Sequence, residues 1–145
     1  MKRLKIFLFI LVLTGATGWA AADRIIPFNR IPEKARTTIA KHFPQAKVSY
    51  AKMDNDLFSK TYDVVFTDGN KIEFDSKGNW KEIDCKYSHV PNDLIPASIQ
   101  RHVATHHQGL RIVQINRNSR EYEVELSNGL ELIFSHKGVF KRFHD

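Results

Sequence analysis

The chain has 145 residues, of which 42% are hydrophobic and 26% are charged, a composition typical of globular proteins rather than of disordered or collagen-like sequences. The formal net charge is +6, and three of the basic residues, Lys2, Arg3 and Lys5, lie within the first five positions. Without them the net charge falls to +3, which does not favour nucleic-acid binding because that function needs a concentrated basic stripe.

The N-terminus has the three parts of a secretory signal peptide. A basic head precedes an apolar run from Ile6 to Leu13, and small residues end the segment at Ala20-Ala21-Ala22. The apolar run is shorter than the roughly 20 residues that span a bilayer. We therefore predict cleavage after Ala22 rather than a membrane anchor, and a mature protein that is periplasmic or secreted, with no membrane insertion.

An internal repeat organises the rest of the chain. Residues 62–83 and 122–143 align at an offset of 60 without a gap. Seven pairs are identical: Tyr62/Tyr122, Val64/Val124, Gly69/Gly129, Phe74/Phe134, Lys77/Lys137, Gly78/Gly138 and Lys81/Lys141. Upstream, Ile31-Pro32 matches Ile95-Pro96 at an offset of 64. The first copy therefore has four additional residues before Tyr62, which we place in the polar turn 53–60.

In the first copy, a helix is predicted to begin at Pro32, whose missing N–H has no cost in a first turn. Ala35 and Ile39 follow Ile31 at helical spacing, and Pro44 ends the helix. The strands are then predicted from alternating apolar residues and turn signals. They are Val48–Lys52, a strand around 62–67, a strand around 71–75, and Trp80–Cys85.

In the second copy, Pro96 begins a helix with Ile99 and Val103 on one face, and this helix ends near Gln108-Gly109. Its predicted strands are Leu110–Asn116, two middle strands equivalent to those of the first copy, and Phe140–His144. In both copies the middle strands are joined by Asp-Gly or Asn-Gly, which predicts a two-residue turn with positive φ at both positions.

The predicted fold class is α+β, and each copy is one helix followed by a four-stranded antiparallel meander. A copy of about sixty residues buries little core by itself. We therefore predict that the two copies join edge strands into one continuous eight-stranded sheet with both helices on one face. The predicted boundaries are a signal peptide at 1–22, a linker at 23–30, the first repeat at 31–86, a linker at 87–94 and the second repeat at 95–145.

These motifs resemble the PepSY-like family of exported bacterial proteins, also described as beta-lactamase-inhibitor-like. The resemblance rests on Ile-Pro before a helix, Tyr62-x-Val64, Asp68-Gly69, Phe74 and Gly78-x-Trp80, together with their second-copy equivalents. It implies a tandem helix-plus-four-strand fold, a periplasmic or secreted location, and binding through the open face of the sheet. It implies no established activity, and no inhibitory residue is carried over.

One face of the predicted sheet is the candidate binding surface. If Tyr62, Val64 and Phe66 face the helix, alternate residues of the middle strands form an outward face with six acids and one lysine. Its proposed binding residues are Asp63, Val65, Glu73, Asp75, Glu123, Glu125, Glu131 and Ile133. Basic residues on the fourth strands would border this acidic face: Lys77, Lys81, Lys86, Lys137, Lys141 and Arg142. The alternative is a face that is charged only for solubility.

Motifs for catalysis or cofactor binding are absent, so we predict no enzyme, no cofactor and no metal. His102 and His106 share a helical face and could hold a metal, but two solvent-exposed histidines are the favoured interpretation because no third ligand lies nearby in a recognisable motif. Cys85 is either a buried small residue or a free thiol, and a catalytic pair with His89 is a weaker alternative. We expect a binding protein for a protein or cationic ligand of the cell envelope; the alternative is a structural protein that acts through oligomerisation.

Overall fold

The computed structural model describes residues 23–144, so the predicted signal peptide lies outside the described residues. The described chain is α+β, as predicted. Its helices are α1 (Glu33–His42) and α2 (Ala97–His106). Its strands are β1 (Arg24–Ile26), β2 (Val48–Asn55), β3 (Lys60–Phe66), β4 (Lys71–Asp75), β5 (Trp80–Asp84), β6 (Ile112–Arg117), β7 (Glu121–Leu126), β8 (Glu131–Ser135) and β9 (Phe140–Phe143).

The strands form one antiparallel sheet in the order β1 to β9, so each strand pairs with its neighbour in sequence. The sheet has nine strands rather than the predicted eight, because β1 lies within the segment 23–30 that was predicted to be a linker. The run Arg24-Ile25-Ile26 pairs with Met53, Lys52 and Ala51 of β2. A three-residue edge strand of this kind leaves few unpaired backbone groups for another chain to pair with.

Each helix follows a proline and a short 3-10 turn. The 3-10 turns are Phe28–Arg30 and Asn92–Leu94, and Pro32 and Pro96 precede the helices. Proline is tolerated at this end because the first backbone N–H groups of a helix have no partner within it. Within residues 23–144, no helix combines the length and apolarity needed to cross a membrane.

The core contains the strand residues that were predicted to face the helices. Val64, Phe66, Ile72 and Phe74 are at most 2% exposed, and Trp80 is also buried. They belong to one cluster that includes Ala35 and Ile39 from α1, Ile99 and Val103 from α2, and the second-copy residues Val124, Leu126, Leu132 and Phe134. The alternation read from the sequence therefore identified the buried side of the middle strands correctly.

The β2–β3 hairpin has four more residues than the β6–β7 hairpin, at the turn 53–60 where the sequence offset changes. Met53 pairs with Tyr62, and Arg117 pairs with Tyr122. The offset between the copies is thus 64 before the hairpin and 60 after it. The extra length extends the β2–β3 hairpin, whose tip contains Leu57 and Phe58.

The hairpin turns differ from the prediction. Among the described residues only glycines have positive φ, and Gly69 and Gly129 are two of them, so Asp68 and Asn128 do not. Phe66 N–H donates to Asn70 O at 2.9 Å, and Gly69 N–H donates to Phe66 O at 3.0 Å. The connection is therefore a three-residue loop, in which a type I turn is followed by a left-handed glycine.

Candidate functional site

The strand register aligns predicted binding residues in a row across the sheet. Lys52 pairs with Asp63, Asp63 with Glu73, and Glu73 with Glu82. The same row continues through Asn116, Glu123, Ile133 and Arg142. Directly opposed residues in antiparallel strands have Cβ atoms about 4.5–5.5 Å apart, so their side chains interact. Three adjacent carboxylates, Asp63, Glu73 and Glu82, thus occupy the middle of the first half of the outward face.

Glu82 and Asp84 are acids of the outward face that the sequence interpretation missed. An irregularity in the β4–β5 pairing lets Glu73 pair with Glu82 while Phe74 pairs with Trp80, so Lys81 is the extra residue. A bulge of this kind reverses the alternation beyond it. The reversal puts Glu82 and Asp84 on the outward face. No turn residue in the sequence marks the position of this bulge.

Lysines other than the predicted Lys71 also pair with acids of the outward face, so basic residues lie among the acids and not only along the borders. The ion pairs are Lys52–Asp63 at 3.3 Å, Lys81–Glu73 at 3.0 Å, Lys71–Glu82 at 3.8 Å and Lys86–Glu125 at 3.5 Å. Pairs of this exposure contribute little net stability, about 0–1 kcal/mol each.

Burial and neighbouring charges shift the pKa of two residues of this surface. Burial raises the pKa of Glu82, the positive charge of Lys71 lowers it, and the negative charges of Glu73, Asp84 and Asp63 raise it further. A hydrogen bond to Asp23 raises the pKa of Lys52, burial opposes it, and Asp63 raises it further. Among the described residues, Asp63 Oδ1 is buried without a hydrogen-bond partner. Because this oxygen is itself inaccessible to solvent, its missing partner is a cost to the fold and not a contact offered to a ligand.

Two of the predicted binding residues have other roles in the structure. Asp75 Oδ1 accepts backbone N–H bonds from Lys77 and Asn79, both at 2.9 Å, and its Oδ2 accepts the Asn79 side-chain amide. Burial alone would raise the pKa of Asp75, but these bonds lower it overall. Its carboxylate therefore holds the β4–β5 turn.

Ile133 is 1% exposed, so the prediction that it offers an open apolar contact is wrong. Val65 is half-buried.

The second half of the outward face brings Glu123 and Glu131 together with His144. One ligand atom from each of these three residues lies within 4.8 Å of the others. Beside them is a small cavity of about 20 Å³, lined by Gln114, Asn116, Glu123, Glu125 and Glu131. All five lining side chains carry oxygen atoms, the donor that hard cations such as calcium prefer. Glu123, Glu125 and Glu131 were predicted from the sequence, and Gln114 and Asn116 were not.

Leu57 and Phe58, at the tip of the extended β2–β3 hairpin, are 90% and 96% exposed. They are adjacent to the strand ends that carry Asp54 and Thr61, which pair in the same hairpin. Two consecutive large apolar side chains in water are unfavourable by themselves, and such exposure is typical of a contact site. The sequence interpretation placed this turn correctly but assigned it no role.

His102 of α2 packs against aromatic residues of the second copy. The His102 ring stacks on Phe140 with centroids 4.7 Å apart, and meets Phe134 edge-on at 5.2 Å. Burial lowers the pKa of His102, and the nearby His106 and His107 lower it further. Within residues 23–144, His102 and His106 do not belong to a three-residue cluster with metal-binding spacing.

Cys85 is fully buried, which confirms the interpretation of it as a small core residue. Burial raises the pKa of its thiol to about 12, and Asp84 and Asp68 add to the effect. The thiolate is the reactive form of cysteine. A thiol held protonated in the core is unsuited to nucleophilic catalysis or to pairing with another chain.

Comparison with solved structures identifies close relatives. The chain is 43% identical to a candidate calcium-regulated periplasmic protein from Bacteroides thetaiotaomicron, with a TM-score of 0.82 over 85% of this chain and 97% of that one. It is 44% identical to a candidate periplasmic protein of the DUF2874 family from Bacteroides vulgatus, with a TM-score of 0.83 over 87% and 99%. A second protein from B. vulgatus, described as periplasmic and of unknown function, is 43% identical, with a TM-score of 0.82 over 86% and 100%.

Fold and relatives together define a small periplasmic protein built on one antiparallel sheet, which confirms the predicted location. The chain belongs to the PepSY-like family, described as beta-lactamase-inhibitor-like, which it matches over residues 60–142. The resemblance noted from the hairpin motifs is thereby confirmed. No match was found among curated proteins.

Proposed function

We propose that the protein is a non-enzymatic binding module of the periplasm, and that its outward face binds a partner carrying cationic groups. The observation that supports this most directly is the row of adjacent carboxylates Asp63, Glu73 and Glu82. Carboxylates aligned in this way attract cations and steer the encounter with a positively charged partner.

The proposal takes the two sequence copies as equivalent units, with both helices covering the side of the sheet opposite the outward face. At the offset of 60, Asp63 corresponds to Glu123, so both halves carry an acid at this position. The copies differ at Glu73, which corresponds to Ile133, and at Lys71, which corresponds to Glu131. The two halves are therefore related but not identical surfaces. An extended partner would meet a different set of contacts on each.

The exposed Leu57 and Phe58 extend this surface beyond the sheet. An aromatic anchor beside complementary charges is the arrangement in which a few residues supply most of the binding energy. We place the hairpin tip at the border of the interface, with the carboxylate row at its centre. A protein ligand with a basic surface and an apolar pocket fits this arrangement better than a small cation does.

The test is affinity capture from periplasmic extract with three forms of the protein. The first is the wild type, and the second reverses two outward charges by Glu73→Lys and Glu125→Lys. The third is a matched control that reverses two charges elsewhere, Glu33→Lys at the start of α1 and Asp93→Lys before α2. The proposal expects the same partners with wild type and control, and their loss from the second form.

A second candidate function is calcium binding at the outward face. The B. thetaiotaomicron relative is described as calcium-regulated, and here an ion-sized cavity is lined by three glutamates, an asparagine and a glutamine. Calcium takes six to eight oxygen ligands, and extracellular sites bind it with dissociation constants of about 10⁻⁴–10⁻³ M. Bound calcium would change the charge presented to a partner.

Calorimetric titration with calcium chloride tests this candidate, with magnesium chloride as the comparison. Binding in the stated range that disappears in Glu123→Gln/Glu131→Gln would support it. The Glu33→Gln variant is the matched control and should bind calcium like the wild type. Absence of heat at millimolar calcium would remove the candidate, and would leave the protein-binding proposal intact.

A further inference from the structure

A second surface feature lies apart from the outward face. It is a groove of about 440 Å³ lined by the segment that leads into α2, by α2 itself and by the start of β6. Its floor is apolar and consists of Val90, Ile95, Val103, Leu110 and Ile112. The volume lies within the range of about 300–1,000 Å³ that is usual for small-molecule sites, which are mostly apolar with a few polar groups.

The rim of the groove is cationic. Arg101 of α2 and Arg111, the residue before β6, both line it, and both are exposed. Within residues 23–144, neither arginine forms a salt bridge, although most basic residues of the outward face do. The N–H donors of their guanidinium groups are therefore available to an anion. Arginine binds carboxylate or phosphate groups with two parallel hydrogen bonds.

The walls of the groove are fixed by hydrogen bonds. Gln100 Nε2 donates to Asn92 O at 2.8 Å and to Ile95 O at 2.7 Å, which ties the entering segment to α2. On the other side, Val90 N–H donates to Ile112 O at 2.9 Å. Because these bonds hold both walls in place, a ligand would not need to order them, and little binding energy would be lost to reorganisation.

The groove is particular to the second half of the chain. At the offset of 64, Asn92 corresponds to Phe28, and Arg101 corresponds to Thr37. Phe28 is partly buried and packs against the core cluster, so an aromatic ring fills the place that Asn92 leaves open. The position of Arg101 is Thr37 in the first half, where Arg36 of α1 lies one residue earlier and Lys47 corresponds to Arg111. A ligand of this groove should therefore bind once per chain.

We propose that this groove binds a single-chain amphiphile with an anionic head group. The apolar tail would lie on the floor formed by Val90, Val103 and Ile112, and the head group would be held by Arg101 and Arg111. An apolar tail gains free energy by leaving water, and the paired arginines select a negative over a positive head group. This site does not depend on the function proposed for the outward face.

The test is a titration of the isotope-labelled protein, exported to and purified from the periplasm, followed by backbone amide NMR shifts. Decanoate is the probe, and decyltrimethylammonium, with an equal tail and the opposite charge, is the comparison; both are kept below the concentration at which they form micelles. The proposal expects saturable shifts at Val90, Val103 and Ile112 with decanoate. It expects at least roughly tenfold weaker binding of the cation, since one charge-assisted hydrogen bond is worth that factor or more.

Two variants separate charge from shape. Arg101→Gln/Arg111→Gln should weaken decanoate binding about tenfold or more, whereas Arg30→Gln/Arg120→Gln, which changes two exposed arginines elsewhere, should leave it unchanged. Ala104→Trp fills the groove from an exposed lining position and should abolish the shifts without unfolding the protein. Equal binding of both probes, shifts on the outward face instead, or wild-type affinity in the double arginine variant of the groove would each overturn the proposal.

Discussion

The Arg117 guanidinium lies 3.7 Å from the centre of the Trp80 ring, and Arg117 Nε donates a hydrogen bond of 2.7 Å to Trp80 O. Trp80 begins β5 and Arg117 ends β6, so this contact crosses the junction between the two sequence copies. The β5–β6 ladder itself has three registered pairs. The side-chain contact therefore extends a short junction at one end.

We predict that Arg117→Met destabilises the protein. Methionine preserves most of the packing of the arginine side chain, and it is the residue at position 53, which corresponds to Arg117 in the first copy. The change leaves Trp80 O without its donor and removes the cation over the ring, for a combined loss of about 1–3 kcal/mol in the free energy of unfolding. Urea denaturation measures this loss. Arg120→Met, an exposed neighbour, is the control and should stay within about 0.5 kcal/mol of wild type.

Gly78 is predicted to be much less tolerant of alanine than Gly129. Both have positive φ, so both variants have the cost of about 1–2 kcal/mol for a left-handed alanine. A Cβ on Gly78 would lie 2.9 Å from the backbone nitrogen of Ala35 and from Pro32 Cβ, whereas one on Gly129 would have nothing within 4 Å. Thermal unfolding of the two variants checks this, and equal melting temperatures would show that the β4–β5 turn does not pack tightly against the start of α1.

The lowered pKa of His102 predicts a pH-dependent loss of stability. Above the ordinary value of 6.5 the histidine is neutral in both states. As the pH falls below it, the unfolded chain binds the proton first, so the folded state becomes less stable until the pH passes the lower folded pKa. Between about pH 7.5 and about pH 5.5, the free energy of unfolding should therefore fall more for wild type than for His102→Phe.

The phenylalanine variant keeps an aromatic ring beside Phe134 and Phe140, and it retains every other titrating group. The raised pKa of Glu82 acts in the opposite direction, but it acts in both proteins and cancels in the comparison. Parallel pH profiles for wild type and His102→Phe would contradict the prediction.

Cys85 should not react with a thiol reagent in the native protein near neutral pH, because its thiol is buried and has a pKa of about 12. Labelling with a chromogenic disulfide reagent should become rapid only when denaturant unfolds the chain. Ser59→Cys in a Cys85→Ala background presents an exposed thiol at the hairpin tip and should react at once. Fast labelling of native wild type would contradict the placement of Cys85 in the core.

Local sequence patterns predicted the elements whose signal is strong. The alternation of Tyr62, Val64 and Phe66 identified the buried face, and the change of offset identified the extended hairpin. The strand β1 was missed because it has only three residues, too few to show the alternation of apolar and polar residues that marks a strand. Its pairing with β2 depends on a neighbour 25 or more residues away along the chain.

The composition of the outward face was predicted only in part. Simple alternation put Lys81 on a basic border, but the bulge at that residue brings Glu82 and Asp84 onto the face. A bulge depends on how two strands pair, so it cannot be predicted from the sequence of either strand alone. For the same reason the burial of Ile133 was not predicted, since its exposure depends on neighbours in adjacent strands.

The central claim is that the outward face binds a partner, and the three-way capture from periplasmic extract tests it most directly. Quantitative mass spectrometry would compare the proteins retained by wild type, by Glu73→Lys/Glu125→Lys and by Glu33→Lys/Asp93→Lys, with each form first shown to be folded. Our account predicts a partner with a basic surface that is retained by the first and third forms and lost from the second. Retention of the same partners by all three forms would contradict it.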